Sequence, residues 1–205
     1  MDIQLHHGDL PADIDFGASV AIDSETMGLN LHRDRLCLLQ MSAGDGTAHL
    51  VKFAPDDDYA APNLKRLLAD PAILKLYHYA RFDVAVLQRR LGVIAGPIYC
   101  TKIASKLCRT YTDRHGLKDL CRELLGVELS KQQQSSDWGA PELSKEQRQY
   151  AASDVLYLHD LKIRLDAMLE RLGRTEIAQS CFDFIPTRVA LDLAGWEEID
   201  IFAHS

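Results

Sequence analysis

Four carboxylates and one phenol stand in three separated segments of this chain. They are Asp23 and Glu25 in SVAIDSETMGL, Asp83 in LYHYARFDVAVL, and Tyr150 with Asp154 in RQYAASDVLYLHDL. Hard divalent cations take oxygen ligands, and a pair of them cleaves a phosphodiester by holding both the attacking and the leaving oxygen. No single segment carries enough carboxylates for that, so the fold must bring all three together. Taken singly, each has a plainer reading: a solvated strand end for Asp23 and Glu25, a helix cap for Asp83, a packed tyrosine beside a solvated acid for Tyr150 and Asp154. Their conjunction, each embedded in apolar sequence, points to a metal-dependent phosphodiesterase.

The spacing inside each segment agrees with the element around it. Asp23 and Glu25 are two residues apart at the end of the apolar run Val20-Ala21-Ile22, so a strand puts both carboxylates on one face. Tyr150 and Asp154 are four apart in a helical pattern whose Ala151, Val155, Leu158 and Leu161 form an apolar stripe. Their side chains therefore leave the helix together. Asp83 falls where an apolar stretch, Ile73 to Tyr77, hands over to a helical pattern through Val84, Leu87 and Leu91.

Three early strands are expected, Val20 to Ser24, Leu36 to Ser42 and Ala48 to Phe53, as a meander punctuated at Gly28 and Asp45-Gly46. A helix from Asn63 to Leu68, a strand from Ile73 to His78, a helix from Asp83 to Leu91 and a short strand near Ile98 come next. Beyond Thr101 the pattern is mostly helical: Lys102 to Cys108, Leu117 to Leu125, and one long helix from about Ser144 to Leu172. This order predicts an α/β fold, a mixed central sheet flanked by helices.

In its motifs the chain resembles the DEDD exonucleases of the ribonuclease H-like superfamily, in the subclass whose fifth residue is tyrosine. The first motif is Asp23-Ser24-Glu25-Thr26-Met27-Gly28-Leu29, the second centres on His78-Tyr79-Ala80-Arg81-Phe82-Asp83, and the third is Tyr150-Ala151-Ala152-Ser153-Asp154. Gln149 stands where the histidine subclass carries its base, and KQQQSSDW, from Lys131 to Trp138, is similar to ribonuclease D relatives. Tyr79 departs from the asparagine that many members carry. Over nearly its full length, through HHGDLP, HRDRLCLLQ, CTKIASKLCRTYTDRHGLK and GWEEIDIFAHS, the chain also looks like the nanoRNase C family of short oligoribonucleases.

That resemblance implies a ribonuclease H-like fold and 3′-to-5′ hydrolysis of short single-stranded RNA, especially dinucleotides, to nucleoside 5′-monophosphates. It also implies a homo-octameric ring. Asp23, Glu25, Asp83 and Asp154 would hold two Mg²⁺ or Mn²⁺ ions roughly 4 Å apart, and Tyr150 would orient or deprotonate the attacking water. An unperturbed phenol titrates near pH ~10, which favours orientation. Leu29 stands where relatives insert a leucine wedge between bases; ordinary core under a turn is its other reading. Thr26 and Gly28 beside it, and His78 and Tyr79 in the second motif, join it as substrate contacts; a buried, hydrogen-bonded histidine is the other reading of His78. Arg109, Arg114, Lys131, Gln134 and Ser135 are candidate donors to a 5′-phosphate. The same carboxylates serve DNA or longer RNA 3′ ends equally well, since nothing in the sequence marks a 2′-hydroxyl contact.

Composition narrows the partners. A net charge of −7 lacks the basic excess with which proteins grip long nucleic acid. Arg33, Arg35, Lys102, Lys106, Arg109 and Arg114 leave room for a local basic patch. The 205 residues, 47% of them apolar, suit one exonuclease domain with no appended helical nucleic-acid-binding module. Five cysteines without C-x-x-C spacing suggest buried thiols rather than disulfides or zinc. The acidic start and the absence of a long apolar run make a cytoplasmic protein without membrane insertion the expectation. The apolar tail from Phe182 to Ser205 is expected either to close the core or to form a subunit interface.

Overall fold

Apolar runs bounded by turn residues fold into six strands: β1 (Asp2–His7), β2 (Ser19–Thr26), β3 (Leu36–Ser42), β4 (Thr47–Lys52), β5 (Leu74–Tyr77) and β6 (Ile98–Cys100). The structure is a computed structural model that describes residues 2–130 and 132–204. The strands make one mixed sheet in the order β1-β4-β3-β2-β5-β6. All seven residues of β3 are buried, as in a strand covered on both faces, and its sequence LCLLQMS is correspondingly apolar without alternation. β2, β3 and β4 pair antiparallel as the expected meander.

β5 runs parallel to β2, and β6 parallel to β5. The carboxyl ends of β2, β5 and β6 therefore lie along one edge of the sheet, the edge where open α/β sheets receive ligands. Polar and ionisable residues gather at these ends: Glu25 and Thr26 close β2, His78 and Tyr79 come directly after β5, and Thr101 and Lys102 directly after β6.

Among the described residues seven α-helices flank the sheet: α1 (Pro62–Ala69), α2 (Ala80–Leu91), α3 (Thr101–Cys108), α4 (Leu117–Leu120), α5 (Lys145–Leu156), α6 (Leu158–Arg171) and α7 (Thr175–Leu191). α4 runs on into a wider π turn, Cys121–Leu125. α5 starts in a capping box: Ser144 Oγ accepts from Gln147 N at 3.1 Å, and Gln147 Oε1 accepts from Ser144 N at 2.9 Å. It lies across β2, β3 and β4, with Ala151 packed against Cys37, Leu38, Leu50 and Trp138.

Three elements differ from expectation. The single helix from 144 to 172 is two, interrupted at Tyr157 (φ −107°, ψ −1°). The break keeps Ala151, Ala152 and Val155 of α5 buried while α6 turns Leu158, Leu161, Leu165 and Leu169 into the core. β1 is an additional strand that the pattern does not signal, because an edge strand reading DIQLHH buries few of its residues. α7 is an additional helix, and contains Pro186 in its interior. No helix among the described residues is long and apolar enough to cross a membrane.

Candidate active site

β2 presents alternate residues to opposite sides. Asp23 and Glu25 line a cleft, and between them Ser24 Oγ donates at 2.6 Å to Asp83 Oδ1 in the first turn of α2. Asp23 lies opposite Gln40 of β3, whose Nε2 donates to Asp23 Oδ2 at 3.2 Å. That neutral donor fixes one carboxylate oxygen and leaves the other available. Asp154 and Tyr150 enter the same cleft from α5, where Tyr150 stacks obliquely on Trp138 with ring centres 5.9 Å apart.

Oxygens of Asp23, Glu25 and Asp154 lie within 4.8 Å of one another. Asp83 is outside that triplet, buried behind it on the Ser24 hydroxyl. Crowding and desolvation disfavour ionisation throughout. Burial lifts Asp23 to about 7. Burial, then the charges of Asp23, Asp154 and Asp83, lift Glu25 to about 10. Asp83 and Asp154 are raised as well, chiefly by burial and next by Asp23. Carboxylates packed this closely retain protons near neutrality unless a cation takes their place. A set of oxygen donors with that surplus of negative charge fits a hard divalent ion. Tyr150 is raised above the ordinary phenol range by burial and by Asp154, Glu25 and Asp23, and so keeps its proton.

The cleft has a volume of about 350 Å³. His78, Lys102, Lys118, Ser130 and Gln134 also line it, so two ammonium groups share it with the acids. His78 Nδ1 lies 2.9 Å from Thr101 Oγ1, and burial, then Lys102, pushes its pKa down to about 3. It is a half-buried, neutral histidine on the cleft wall. Beside the cleft a cavity of about 500 Å³ is lined by Leu29, His32, Tyr79, Arg81, Phe82 and Glu197, among others. Leu29 is 83% exposed, which removes the reading of it as core. Tyr79 holds a left-handed backbone (φ 80°), a conformation bulky residues rarely adopt, and Lys102 Nζ sits 4.5 Å from its ring centre.

Other expected contacts are placed differently. Arg109 is fully buried, donating to Ser105 Oγ and Arg114 O and pairing with Glu123, so it is a structural tie and not a phosphate donor. That burial also takes it out of the expected surface patch. Arg114 and Ser135 are exposed but do not line the cleft. The Thr26 hydroxyl is spent on Gly28 O, closing the turn after β2. Lys131 lies outside the described residues. By sequence Lys102 belongs only to a basic patch, and no role attaches to Lys118, Gln40 or Ser24. Each reaches the site through pairing or packing across the fold, and no local spacing signals it.

A family model described as 3′-5′ exonuclease matches residues 9–170. The chain is 34% identical over 155 residues to ribonuclease D of Granulibacter bethesdensis, covering 76% of this chain and 38% of that protein. It thus spans about two fifths of the length of the curated relatives it matches. Among solved structures it resembles Brucella melitensis NrnC bound to pGG, at 58% identity, TM-score 0.96 and 100% coverage of both chains. Brucella melitensis NrnC with bound Mg²⁺ is similar at 57% identity, TM-score 0.95 and the same coverage.

Proposed function

We propose, from the premise that this chain belongs to the 3′-5′ exonuclease family, that it hydrolyses short single-stranded RNA from the 3′ end, dinucleotides foremost. Nucleoside 5′-monophosphates are the products. The observation that carries this reading is the triplet Asp23, Glu25 and Asp154, with oxygens mutually within 4.8 Å, in a cleft that also holds Tyr150 and two lysines. The likeness to NrnC bound to pGG supports the substrate class.

Asp23, Glu25 and Asp154 would hold divalent metal, Mg²⁺ or Mn²⁺, with Asp83 supporting a second ion. Bound divalent cations supply Lewis-acid stabilisation of the charge on the scissile phosphate and its leaving 3′ oxygen. Gln40 occupies Asp23 Oδ2 and Ser24 occupies Asp83 Oδ1, so each donor would orient its carboxylate and leave the other oxygen free for a cation. Tyr150, which keeps its proton, uses its O–H to align the attacking water and does not act as a base. The water oxygen bonds to phosphorus as the P–O3′ bond breaks; the water gives up one proton to solvent, and the 3′ oxygen takes one up from solvent and leaves as a hydroxyl. Lys102 and Lys118 offset phosphate charge, Gln134 donates to it, and Leu29 and Tyr79 contact the bases.

The 205 residues would suffice as one exonuclease domain, working in the cytoplasm, where its five free thiols stay reduced. A homo-octamer is the proposed assembly; exposed Phe184, Ile199 and Phe202 of the terminal segment, with Ile177 before it, are the apolar surface it would cover. Light scattering of the intact chain and of a truncation at Gly195 tests this, and an unchanged oligomer in the truncation would rule the tail out. The function itself is tested by turnover of 5′-phosphorylated RNAs from two to seven nucleotides in Mn²⁺, beside single-stranded and duplex DNA and the Asp23→Ala protein. Fast cleavage confined to the shortest RNA supports the reading. Equal or faster degradation of long RNA or DNA would move the function to general 3′-end trimming.

A further inference from the structure

An exposed leucine on a surface turn should be mobile, and ordering it at each binding event would cost affinity. The turn that carries Leu29 is not built that way. Met27 N donates to Arg35 O at 3.1 Å across its base, and Asp34 N to Asn30 O at 2.8 Å. Asn30 Oδ1 accepts from the backbone N–H groups of His32 and Arg33, both at 3.0 Å. Asp34, only 8% exposed in spite of its place in a surface turn, accepts from Asn30 N at 2.9 Å and from Arg33 Nε at 2.6 Å.

Two further features close the turn from below. Arg90 Nη2 reaches three of its carbonyls, Asp34 O at 2.9 Å, His32 O at 3.3 Å and Leu31 O at 3.4 Å. Gly28 lets the turn close on Asp34, whose carboxylate a Cβ there would have to displace. Arg90 stands in the last turn of α2 and Asp83 in its first. One rigid helix, about 10 Å between those positions, thus fixes both a site carboxylate and the Leu29 turn.

We propose that Asp34 and Arg90 are positioning residues that hold Leu29 ready against the bases and so set the preference for a substrate with two bases. The inference rests on the reading of this cleft as an exonuclease site with Leu29 at the substrate. The substrate class it concerns is a nucleoside monophosphate esterified to a second nucleoside, as opposed to one esterified to a small alcohol or phenol.

The test uses two substrates: an RNA dinucleotide, and the p-nitrophenyl ester of thymidine 5′-monophosphate, which has one base. Arg90→Met keeps the packing of the stem and removes the carbonyl contacts. It should raise KM for the dinucleotide about tenfold, the effect of losing one charge-assisted hydrogen bond, with kcat for the dinucleotide and turnover of the ester within about twofold. Because Arg90 acts through Leu29, the double variant Leu29→Ala/Arg90→Met should bind the dinucleotide no worse than Leu29→Ala alone. Additive losses, equal falls on both substrates, or an unchanged KM would overturn the inference. Should Arg90→Met not fold, Asp34→Asn, isosteric and uncharged, carries the same comparison. Failure of the underlying reading looks different: Leu29→Ala would leave the dinucleotide KM unchanged, or Asp23→Ala would retain turnover of both substrates.

Discussion

Without metal, the protein should become less stable as pH rises across neutrality, and divalent cation should reverse this. Asp23 titrates near 3.8 in the unfolded chain and at about 7 in the folded one. Between those values the native state holds a proton that the unfolded state has released, so stability is full below the lower value and declines toward the upper one. The displacement corresponds in full to on the order of 4 kcal/mol, of which on the order of 3 kcal/mol is lost between about pH 5 and about pH 8, or on the order of 5–10 °C in Tm for a chain of this size. Glu25, lifted to about 10 by burial and then by its carboxylate neighbours, extends the decline to higher pH. The assay is thermal unfolding in EDTA and in Mn²⁺ at about pH 5 and about pH 8, with Asp23→Asn as control. That variant cannot ionise at position 23, so it should flatten the slope in EDTA, exceed wild type in stability at the higher pH, and lose most of the metal-induced gain. The net charge of −7 adds a general repulsion at high pH, but both proteins share it. A Tm in EDTA that is level or rising between the two pH values, or an Asp23→Asn slope equal to wild type, would refute the reasoning.

Three other residues have contacts specific enough to set an outcome. Tyr150→Phe should lower kcat about 10²-fold through a misaligned water. Because the phenol is raised above its ordinary range, wild type should show no rate increase from its ionisation up to about pH 9; an increase that vanishes in the variant would restore the base role. Lys102→Met should raise KM about tenfold and lessen the salt dependence by about one phosphate contact, with kcat nearly unchanged; a loss confined to kcat would place Lys102 at the leaving oxygen. Arg109→Met should leave KM alone and cost about 2 kcal/mol in urea unfolding, since it leaves the Arg114 carbonyl without its donor and takes from Glu123 one of its two arginine partners. A raised KM in a stably folded Arg109→Met would return that residue to the substrate.

Features encoded by a short period are legible in the sequence. Asp23 with Glu25, and Tyr150 with Asp154, are of this kind, because i,i+2 on a strand and i,i+4 on a helix fix shared faces without knowledge of the rest of the fold. The central strand β3 is legible to the residue, from a mainly apolar run that shows no alternation. The interruption at Tyr157 is not, because both halves keep helical periodicity and only their packing on different elements separates them. Arg109 misleads for a related reason. Its partner Glu123 lies fourteen residues on, and an arginine in a basic stretch looks the same whether it meets a phosphate or a carboxylate of its own chain.

The site residues that the sequence does not reveal share one dependence, on how the strands are paired. Lys102 comes directly after β6, and it shares the cleft with Asp23 only because β6 runs parallel to β5 and β5 parallel to β2, which carries three strand ends to one edge. Gln40 faces Asp23 only in the antiparallel register that sets those two residues opposite each other. A one-residue slip of β3 would turn Gln40 to the other face and leave Asp23 without its donor. The acids can be found by type and spacing. Their orientation depends on neutral neighbours placed by sheet register, and a strand sequence read alone holds no trace of its register. For that reason Gln40→Leu is the sharpest separation of the two levels: every carboxylate stays present while the one hydrogen bond that aims Asp23 is lost. Metal affinity measured by calorimetry should fall about tenfold, as for other partners of ligating side chains, in a protein whose circular dichroism is unchanged. Undiminished affinity would mean that β2 alone orients the carboxylate, and that register matters here only for stability.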